Sequence, residues 1–234
     1  MDYPIRINKY LAQKNIASRR EADELIRDGK IKLNGKKAVL GSKVKEGDEV
    51  EVAKNAQKRL FYYAYNKPVG VITHSPQGSE ESIADITKFP EKVFPVGRLD
   101  KDSWGLMILT NDGRVTQKLL SPKEGREKEY AVIVNKFITE SFLRKMGAGV
   151  KLDDGYRTKE AKVQKINDFM FGIVLTEGKK RQIRRMCTAL GFAAVDLKRV
   201  RVLNIKLKKL KAGEFRELKR EEAKEFLVSL GLDN

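Results

Sequence analysis

The chain has 234 residues, enough for one large domain or for a medium domain with a small companion. Lysine and arginine number 49 against 32 acidic residues, a formal charge of +17 that favours a polyanionic partner, nucleic acid foremost. With one cysteine the sequence excludes an intramolecular disulfide, and with one histidine it shows no cluster that resembles a zinc site or a Ser-His-Asp triad. No apolar run reaches the roughly 18 residues that span a bilayer, so we expect a soluble, cytoplasmic protein without membrane contact.

The first 50 residues have the pattern of a small helix-helix-strand unit. Apolar residues recur at helical spacing in two short segments, and Ser18 with Glu21 forms a capping box that begins the second helix. Gly29 is placed to end that helix, and Asn34-Gly35 suits a tight hairpin turn. "DEVEV" follows as a closing strand.

Positive charge is concentrated in this unit. Residues 5–37 hold ten basic and four acidic side chains, a net charge of +6. Arg19 and Arg20 fall in the first turn of the second helix, where the helix dipole disfavours cations, and a bound phosphate would compensate for them. We therefore take Arg6, Lys9, Arg19 and Arg20 as candidate RNA ligands. The alternative is a solvated basic face.

Residues 53–60 lack periodicity and are typical of a linker. Beyond them, short apolar strands such as "LMILT", "EYAVIV" and "FGIVL" alternate irregularly with helical stretches. This order predicts an α+β chain whose larger domain is a mixed α/β unit with a largely antiparallel sheet. The predicted division is a small domain at 1–52, a linker at 53–60 and a large domain at 61–234.

The stretch "GRLDKDSWGLMILTNDG" at 97–113 places Asp100 and Asp102 on a loop that enters a core strand. Both carboxylates could serve only to order that loop through backbone hydrogen bonds. A charge partner is available in "TEGKKRQIRRMCTALG", where a helix is predicted from Gln182 to Leu190. An arginine of this helix that points inward would pair with Asp100 and hold it ionised.

A third basic run, at 198–211, carries seven lysines or arginines and no acidic residue. As a strand it would turn one apolar face to the core and one positive face to solvent, which makes Lys198, Arg199 and Arg201 candidate phosphate ligands. The aromatic candidates for stacking on bases are Tyr62, Tyr63, Tyr65 and Tyr130, although each taken singly is more often a core residue.

Four motifs occur in an order that resembles one enzyme group. They are "YNKPVGVITH", "GRLDKDSWGLMILTNDG", "REKEYAV" and "GKKRQIRRM". Together they resemble the pseudouridine synthases that act on small- and large-subunit ribosomal RNA, and the N-terminal unit resembles the S4-type RNA-binding domain usual in that group. Within the group the sequence is most similar to the F-type large-subunit synthases, and the B-, E- and small-subunit types remain alternatives.

The resemblance implies roles for particular residues. Asp100 corresponds to the catalytic carboxylate, Arg184 to its ion-pair partner and Tyr130 to the ring that stacks on the target base. Arg98 corresponds to a residue that holds the flipped nucleotide or fills its place, and Ile183 to an apolar residue of the site. The remaining cations of the third motif are candidate RNA ligands: Lys179, Lys180, Arg181 and Arg185.

The implied reaction is isomerisation of uridine to pseudouridine without a cofactor or a metal. Asp100 would attack C1′ of the ribose or remove the C2′ proton. The implied partner is ribosomal RNA, with 23S RNA favoured over 16S RNA, either free or in an assembly intermediate. We expect the protein to act as a monomer. The alternatives are a non-catalytic S4-type assembly protein and, more weakly, a metal-dependent nuclease.

Overall fold

The computed structural model describes residues 3–14, 16–53, 59–121 and 124–232. The N-terminal part contains two helices and short antiparallel strands around a small core of Ile7, Leu11, Ile26 and Ile31, each at most 4% exposed. Its elements are β1 Ile5–Arg6, α1 Ile7–Gln13, α2 Arg19–Arg27, β2 Ile31–Leu33, β3 Lys36–Lys37, β4 Lys43–Val44 and β5 Val50–Val52.

The local signals of this part are confirmed. Ser18 is the N-cap of α2: its Oγ accepts from the Glu21 backbone N–H at 3.3 Å, and Glu21 Oε2 accepts from the Ser18 backbone N–H at 2.8 Å. Asn34 and Gly35 both have positive φ, 51° and 75°, as a two-residue turn between β2 and β3 requires. Residues 54–58 of the predicted linker lie outside the described residues, and the domain boundaries stay a prediction.

The larger part contains the elements β6 Tyr62–Lys67, α3 Ile83–Ile86, β7 Phe94–Val96, β8 Trp104–Thr110, α4 Gly113–Leu119, β9 Lys128–Val134, α5 Glu140–Gly147, β10 Lys162–Lys165, β11 Met170–Leu175, α6 Gln182–Ala189, β12 Ala194–Val202, β13 Ile205–Lys206, β14 Phe215–Glu217 and α7 Arg220–Ser229. Within the described residues, its nine strands form one sheet in the order β10-β11-β9-β12-β8-β6-β14, with β7 beside β8 and β13 beside β12. Every neighbouring pair is antiparallel except β8 with β12. The predicted mixed, largely antiparallel sheet is confirmed.

The core lies on both faces of this sheet. Phe226 of α7 belongs to a cluster with Leu106 and Ile108 of β8, and Met186 of α6 belongs to a second cluster with Phe171 of β11. Cys187 is fully buried in that second cluster, as expected of a lone structural thiol. Burial of the apolar faces of the strands and of α5, α6 and α7 is the main force that holds the larger part together.

Three of the predicted stacking aromatics belong to the core. Tyr62, Tyr63 and Tyr65 are at most 8% exposed, and the Tyr62 hydroxyl donates to Asp112 Oδ2 at 2.8 Å. Tyr65 shares a hydrogen bond of 3.0 Å with Thr87 Oγ1. Of the four candidates, Tyr130 alone lies beside an open cleft.

The prediction that 198–211 forms a strand with one positive face in solvent is wrong for its first part, where the three candidate phosphate ligands lie. β12 lies between β9 and β8 in the middle of the sheet and not at an edge. Arg199 is only 4% exposed, and Lys198 lies over the ring of Trp104, 4.2 Å from its centroid. Arg201 forms ion pairs with Glu129 at 2.6 Å and Glu127 at 3.1 Å. These three cations therefore do not form a phosphate-binding surface.

Candidate functional site

A cleft of about 970 Å³ opens over the centre of the sheet, where β8, β9 and β12 lie side by side. Asp100 reaches it from the loop before β8, Tyr130 from β9 and Ile183 from α6. The sheet thus brings together residues from three of the four motifs. Among them, Ile183 is buried, whereas Asp100 and Tyr130 are half-buried.

The loop that carries Asp100 is held on both sides. Before Asp100, Leu99 and Thr73 form a reciprocal pair: the Leu99 backbone N–H donates to Thr73 Oγ1 at 3.1 Å, and that hydroxyl donates to the Leu99 carbonyl at 3.0 Å. After Asp100, the backbone N–H of Ser103 donates to the Asp100 carbonyl at 3.0 Å, which closes a tight turn. The carboxylate is therefore presented by a fixed backbone.

Lys67, at the end of β6, also holds this loop through hydrogen bonds. Its side chain is fully buried, and Nζ donates to the carbonyls of Ser103 at 2.7 Å and Pro68 at 2.9 Å. Burial lowers the pKa of this amine to about 8, against the opposing influence of Asp102 and Asp100. Lys67 belongs to the motif "YNKPVGVITH", and through these hydrogen bonds it supports the loop that carries Asp100.

The predicted ion pair between Arg184 and Asp100 is wrong in this structure. Arg184 Nε lies 3.3 Å from Asp102 Oδ2, and Nη2 donates to the Asp102 carbonyl at 2.9 Å. Its Nη1 donates to the carbonyl of Ala194 at 2.7 Å. Among the described residues, no cationic side chain lies within 4 Å of the Asp100 carboxylate. The tight turn directs Asp102 towards α6, whereas Asp100 lines the cleft.

Arg181 is the second partner of Asp102. It donates from Nη1 to Oδ1 at 3.0 Å and from Nη2 to Oδ2 at 2.8 Å, a bidentate fork. The hydrogen bond from Arg181, with the charges of Arg184 and Arg181, holds the pKa of Asp102 below its ordinary value. Arg181 is the N-cap of α6 and has a left-handed backbone, φ 50°, a conformation rare for residues other than glycine. Asp102 thus orders the loop mainly through two guanidiniums.

The remaining predicted residues of the third motif divide into two groups. Lys179, Lys180 and Arg98 are exposed at the edge of the cleft, where a phosphate backbone can reach them. Arg185 instead forms ion pairs with Asp153 and Asp154 on the hairpin that follows α5. It ties α6 to that hairpin and is not available as an RNA ligand in this arrangement.

Four cations of the N-terminal unit lie at its surface. Arg6, Lys9, Arg19 and Arg20 are exposed, and within the part of the chain that the structure describes none of them has a carboxylate within 4 Å. The two arginines keep their positions in the first turn of α2. The predicted basic face exists, and its role as an RNA ligand stays a prediction.

Lys67 and Lys128 are the site residues that sequence reasoning missed. Each is a lysine inside an apolar or aromatic strand segment, "YYAYNKPV" and "EKEYAVIV", and that context is the one available signal of burial. Described residues include no group of three or more His, Cys, Asp or Glu side chains that could hold a metal ion. They also include no helix long and apolar enough to cross a membrane.

Comparison with known proteins gives consistent results for both parts of the chain. Residues 61–189 match the RNA pseudouridylate synthase family, and residues 5–50 match the S4 domain family. A dual-specificity RNA pseudouridine synthase RluF of Escherichia coli K12 is 44% identical over 228 residues, covering 94% of this chain and 78% of that protein. Ribosomal large subunit pseudouridine synthase B of Bacillus subtilis is 36% identical, covering 94% of each chain. A crystal structure of a pseudouridylate synthase aligns with a TM-score of 0.71 and 28% identity over 95% of this chain and 99% of that one.

Proposed function

Because the chain belongs to the RNA pseudouridylate synthase family, we propose that it isomerises a specific uridine of large-subunit (23S) ribosomal RNA, with Asp100 as the reacting carboxylate. The large-subunit assignment follows the Bacillus subtilis relative, whose name specifies that subunit, and the F-type character of the motifs. Small-subunit RNA is the second candidate within the same reaction.

The observation that carries the proposal is the environment of the Asp100 carboxylate. Its carboxylate lines the cleft, is half-buried, and accepts no hydrogen bond from any described residue, whereas Asp102 two residues later is held by two arginines. A carboxylate that served only the fold would be expected to have such partners. One that is left open to a cleft on a fixed loop is available to a substrate.

The reaction requires a base that has left the helical stack, because the N1–C1′ bond must break and the same base must rejoin the sugar through C5. Asp100 can supply either step that starts this sequence. As a nucleophile it attacks C1′ while the N1–C1′ bond breaks, and as a base it removes the C2′ proton. Both routes need the ionised carboxylate at the ribose.

The surrounding residues have complementary parts in the proposal. Tyr130 offers a ring face for the extruded uracil, and Ile183 gives an apolar wall that excludes water. Arg98, exposed at the edge of the cleft, is placed to hold the nucleotide or fill the gap it leaves in the RNA. Arg184 acts on the reaction through Asp102 and the loop.

The N-terminal unit, proposed to span residues 1–52, docks on structured RNA by phosphate contacts, and the unit at 61–234 captures the uridine. We take one copy of the chain as the active form, with free RNA or an assembly intermediate in the cytoplasm as its substrate. No cofactor enters the proposed reaction.

The test is nucleotide-resolution mapping of pseudouridine in total RNA from cells that lack the protein. Complementation uses either the intact chain or Asp100→Asn. One position of large-subunit RNA should lose its pseudouridine on deletion and regain it only with the intact chain. An unchanged map, or restoration by Asp100→Asn, would contradict the proposal, and a single position in small-subunit RNA would correct the substrate.

Removal of the basic side chains at the start of α2 should weaken RNA binding. Replacement of Arg19 and Arg20 by alanine removes two exposed cations. Each phosphate contact contributes roughly 0.7–0.9 to the slope of log Kd against log salt concentration, so we expect that slope to fall by about 1.5. Filter binding at several salt concentrations measures it.

The control for this experiment removes the same charge elsewhere. Lys219 and Lys224 are exposed at α7 of the larger part, and their double alanine variant should leave the slope almost unchanged. An equal loss in both double variants would show a general charge effect and would remove the N-terminal unit from the docking scheme.

Neutralisation of Asp102 should slow the reaction with little effect on folding. Its ion pair with Arg181 is more than 40% exposed on both sides, and exposed pairs contribute little to stability. Asp102→Asn nevertheless removes the ion pairs with Arg181 and Arg184 that hold the loop of Asp100. A misplacement of a reacting group by about 1 Å can lower the rate 10²-fold. We expect kcat to fall between about 10- and 100-fold, with the RNA Kd unchanged.

Asp154→Asn is the matched control for Asp102→Asn. Asp154 pairs with Arg185 of the same helix, at 2.8 Å, but faces the hairpin instead of the catalytic loop. Its variant should retain full turnover. Equal kcat in the wild type and Asp102→Asn would mean that Lys67 and the backbone bonds alone position the loop.

A further inference from the structure

Two basic side chains, Lys128 and Arg199, lie on the face of the sheet that lines the cleft. Arg199 of β12 is the cross-strand partner of Tyr130 of β9, and Lys128 lies two residues before Tyr130. Residues at i and i+2 of a strand share a face, and cross-strand partners have Cβ atoms about 4.5–5.5 Å apart. The three side chains therefore form one group beneath the position proposed for the uracil.

Arg199 is a buried charge, and among the described residues no carboxylate lies within 4 Å of its guanidinium. Its side chain is 4% exposed, Nε donates to the carbonyl of Leu106 at 2.6 Å, and Nη2 contacts Met107 Sδ at 2.7 Å. Nη1 makes no hydrogen bond with any residue that the structure describes. Burial of a guanidinium without an anion is unfavourable, so its retention needs a reason beyond packing.

The neighbourhood of Lys128 is also free of negative partners. Its cross-strand partners are Leu175 of β11 and Val202 of β12, both buried and apolar. Nζ donates to the carbonyl of Arg126 at 3.1 Å, and no carboxylate of the described residues lies within 4 Å of it.

The glutamates adjacent in sequence do not compensate Lys128. Glu127 and Glu129 both form ion pairs with Arg201, at 3.1 and 2.6 Å, on the side of the strand away from Lys128. Arg199, Tyr130 and Asp100 are ionisable residues that line the same cleft as Lys128. Burial and the charge of Arg199 lower the pKa of Lys128 to about 8.

We propose that Lys128, supported by Arg199, binds the uracil after it has detached from the ribose and stabilises its negative charge through O2 or O4. This inference rests on the proposed function, and it assigns Lys128 as a further catalytic residue of that reaction. A preorganised cation in a site that excludes water is the arrangement that stabilises charge as it develops.

The electron balance of the reaction creates this need. When N1–C1′ breaks, the bonding pair remains on the uracil, and C1′ is bonded to an Asp100 oxygen or, on the other route, the C2′ proton has moved to Asp100. The uracil is then an anion with charge on N1, O2 and O4. When C5 attacks C1′, the Asp100–C1′ bond breaks or the C2′ proton returns; C5 then loses its proton to a base and N1 gains one.

An RNA phosphate is the other anion that these cations could bind, and their position favours the base. Lys128 and Arg199 lie on the sheet beside Tyr130, whereas the exposed cations Lys179, Lys180 and Arg98 stand at the edge of the cleft. A backbone phosphate would meet the exposed cations first.

Lys128→Met keeps the aliphatic stem and removes the charge. The assay is single-turnover tritium release from large-subunit RNA that contains 5-tritiated uridine, isolated from cells lacking the protein. We expect the rate constant to fall about 10²-fold, as on removal of one donor to a developing anion, with RNA Kd and its salt slope unchanged. Lys162→Met is the control, because Lys162 is 85% exposed on the edge strand β10 and carries the same charge.

The pH dependence of the rate distinguishes a protonated Lys128 that stabilises an anion from a neutral Lys128 that acts as a base. Since the protonated amine is the active form, the wild-type rate should fall as pH rises through about 8. Lys128→Arg should restore the rate to within about tenfold of wild type and shift this loss to higher pH, because a guanidinium stays protonated.

Three results would overturn this assignment. The first is an unchanged rate constant in Lys128→Met. The second is a wild-type rate that rises through pH 8, which would make the neutral amine a base. The third is weaker RNA binding by Lys128→Met with a smaller salt slope, which would make the ligand a phosphate. Turnover by Asp100→Asn in the same assay would instead show the failure of the proposed function itself.

Discussion

Asp100→Asn is expected to lower the rate of uridine isomerisation by at least about 10⁴-fold, the scale of loss when a reacting side chain is removed from a site that otherwise stays intact. The amide can neither bond to C1′ nor accept the C2′ proton. Asparagine has nearly the same shape, and the Asp100 side chain makes no hydrogen bond with a described residue. We therefore expect the free energy of unfolding to change by no more than about 0.5 kcal/mol.

Two measurements on one preparation check this expectation. Tritium release from RNA containing 5-tritiated uridine gives the rate, and filter binding of the same RNA gives Kd, which should stay within a factor of three of wild type. Turnover of a few per cent of wild type would refute the role of Asp100. Loss of RNA binding together with turnover would indicate a misfolded variant, which thermal unfolding would detect.

The features that could be predicted from the sequence are those fixed by neighbouring residues. The capping box at Ser18 and the turn at Asn34-Gly35 each involve groups at most three positions apart. Their side chains and backbone preferences determine the local structure almost independently of the rest of the chain. The apolar strands of the larger part could be predicted for a similar reason, because the pattern of apolar residues that indicates each strand lies within that strand.

The carboxylate that pairs with Arg184 is determined by the conformation of the loop, which cannot be predicted from the spacing of the residues. Asp100 and Asp102 are two positions apart, and either carboxylate could face α6 if the loop were extended. The tight turn closed by the bond from Ser103 to the Asp100 carbonyl sends them in different directions. Arg184 consequently contacts Asp102, and the carboxylate proposed for the chemistry remains open to the cleft.

The cations of β12 illustrate a second limit. Arg199 has the same local pattern as a solvent-facing arginine on an edge strand, but β12 lies in the centre of the sheet. Strand order depends on contacts between residues far apart in the chain, and single-strand periodicity carries no information about it. Because the sequence does not place β12 beside β9, it also does not predict the cluster of Lys128, Arg199 and Tyr130.

Gly105→Ala is expected to destabilise the larger part by about 3 kcal/mol or more. Gly105 is the second residue of β8 and is paired with Arg199 of β12, where the two strands run parallel. A Cβ atom at this position would lie 2.3 Å from the Arg199 carbonyl oxygen and 2.7 Å from its nitrogen. Both are backbone atoms of a central strand, so a flexible side chain cannot move aside to relieve the contact. The φ of +108° adds further strain for alanine.

Gly155→Ala separates the two causes of this loss. Gly155 also has a positive φ, +83°, but an added Cβ would meet no atom within 4 Å, so we expect only the backbone strain of roughly 1 kcal/mol there. Urea unfolding is followed by the fluorescence of Trp104, the single tryptophan, which lies in β8 directly before Gly105. Equal losses in the two variants would show that the close approach of β8 and β12 is not required. A larger loss in Gly105→Ala would establish that the close approach of β8 and β12 stabilises the larger part.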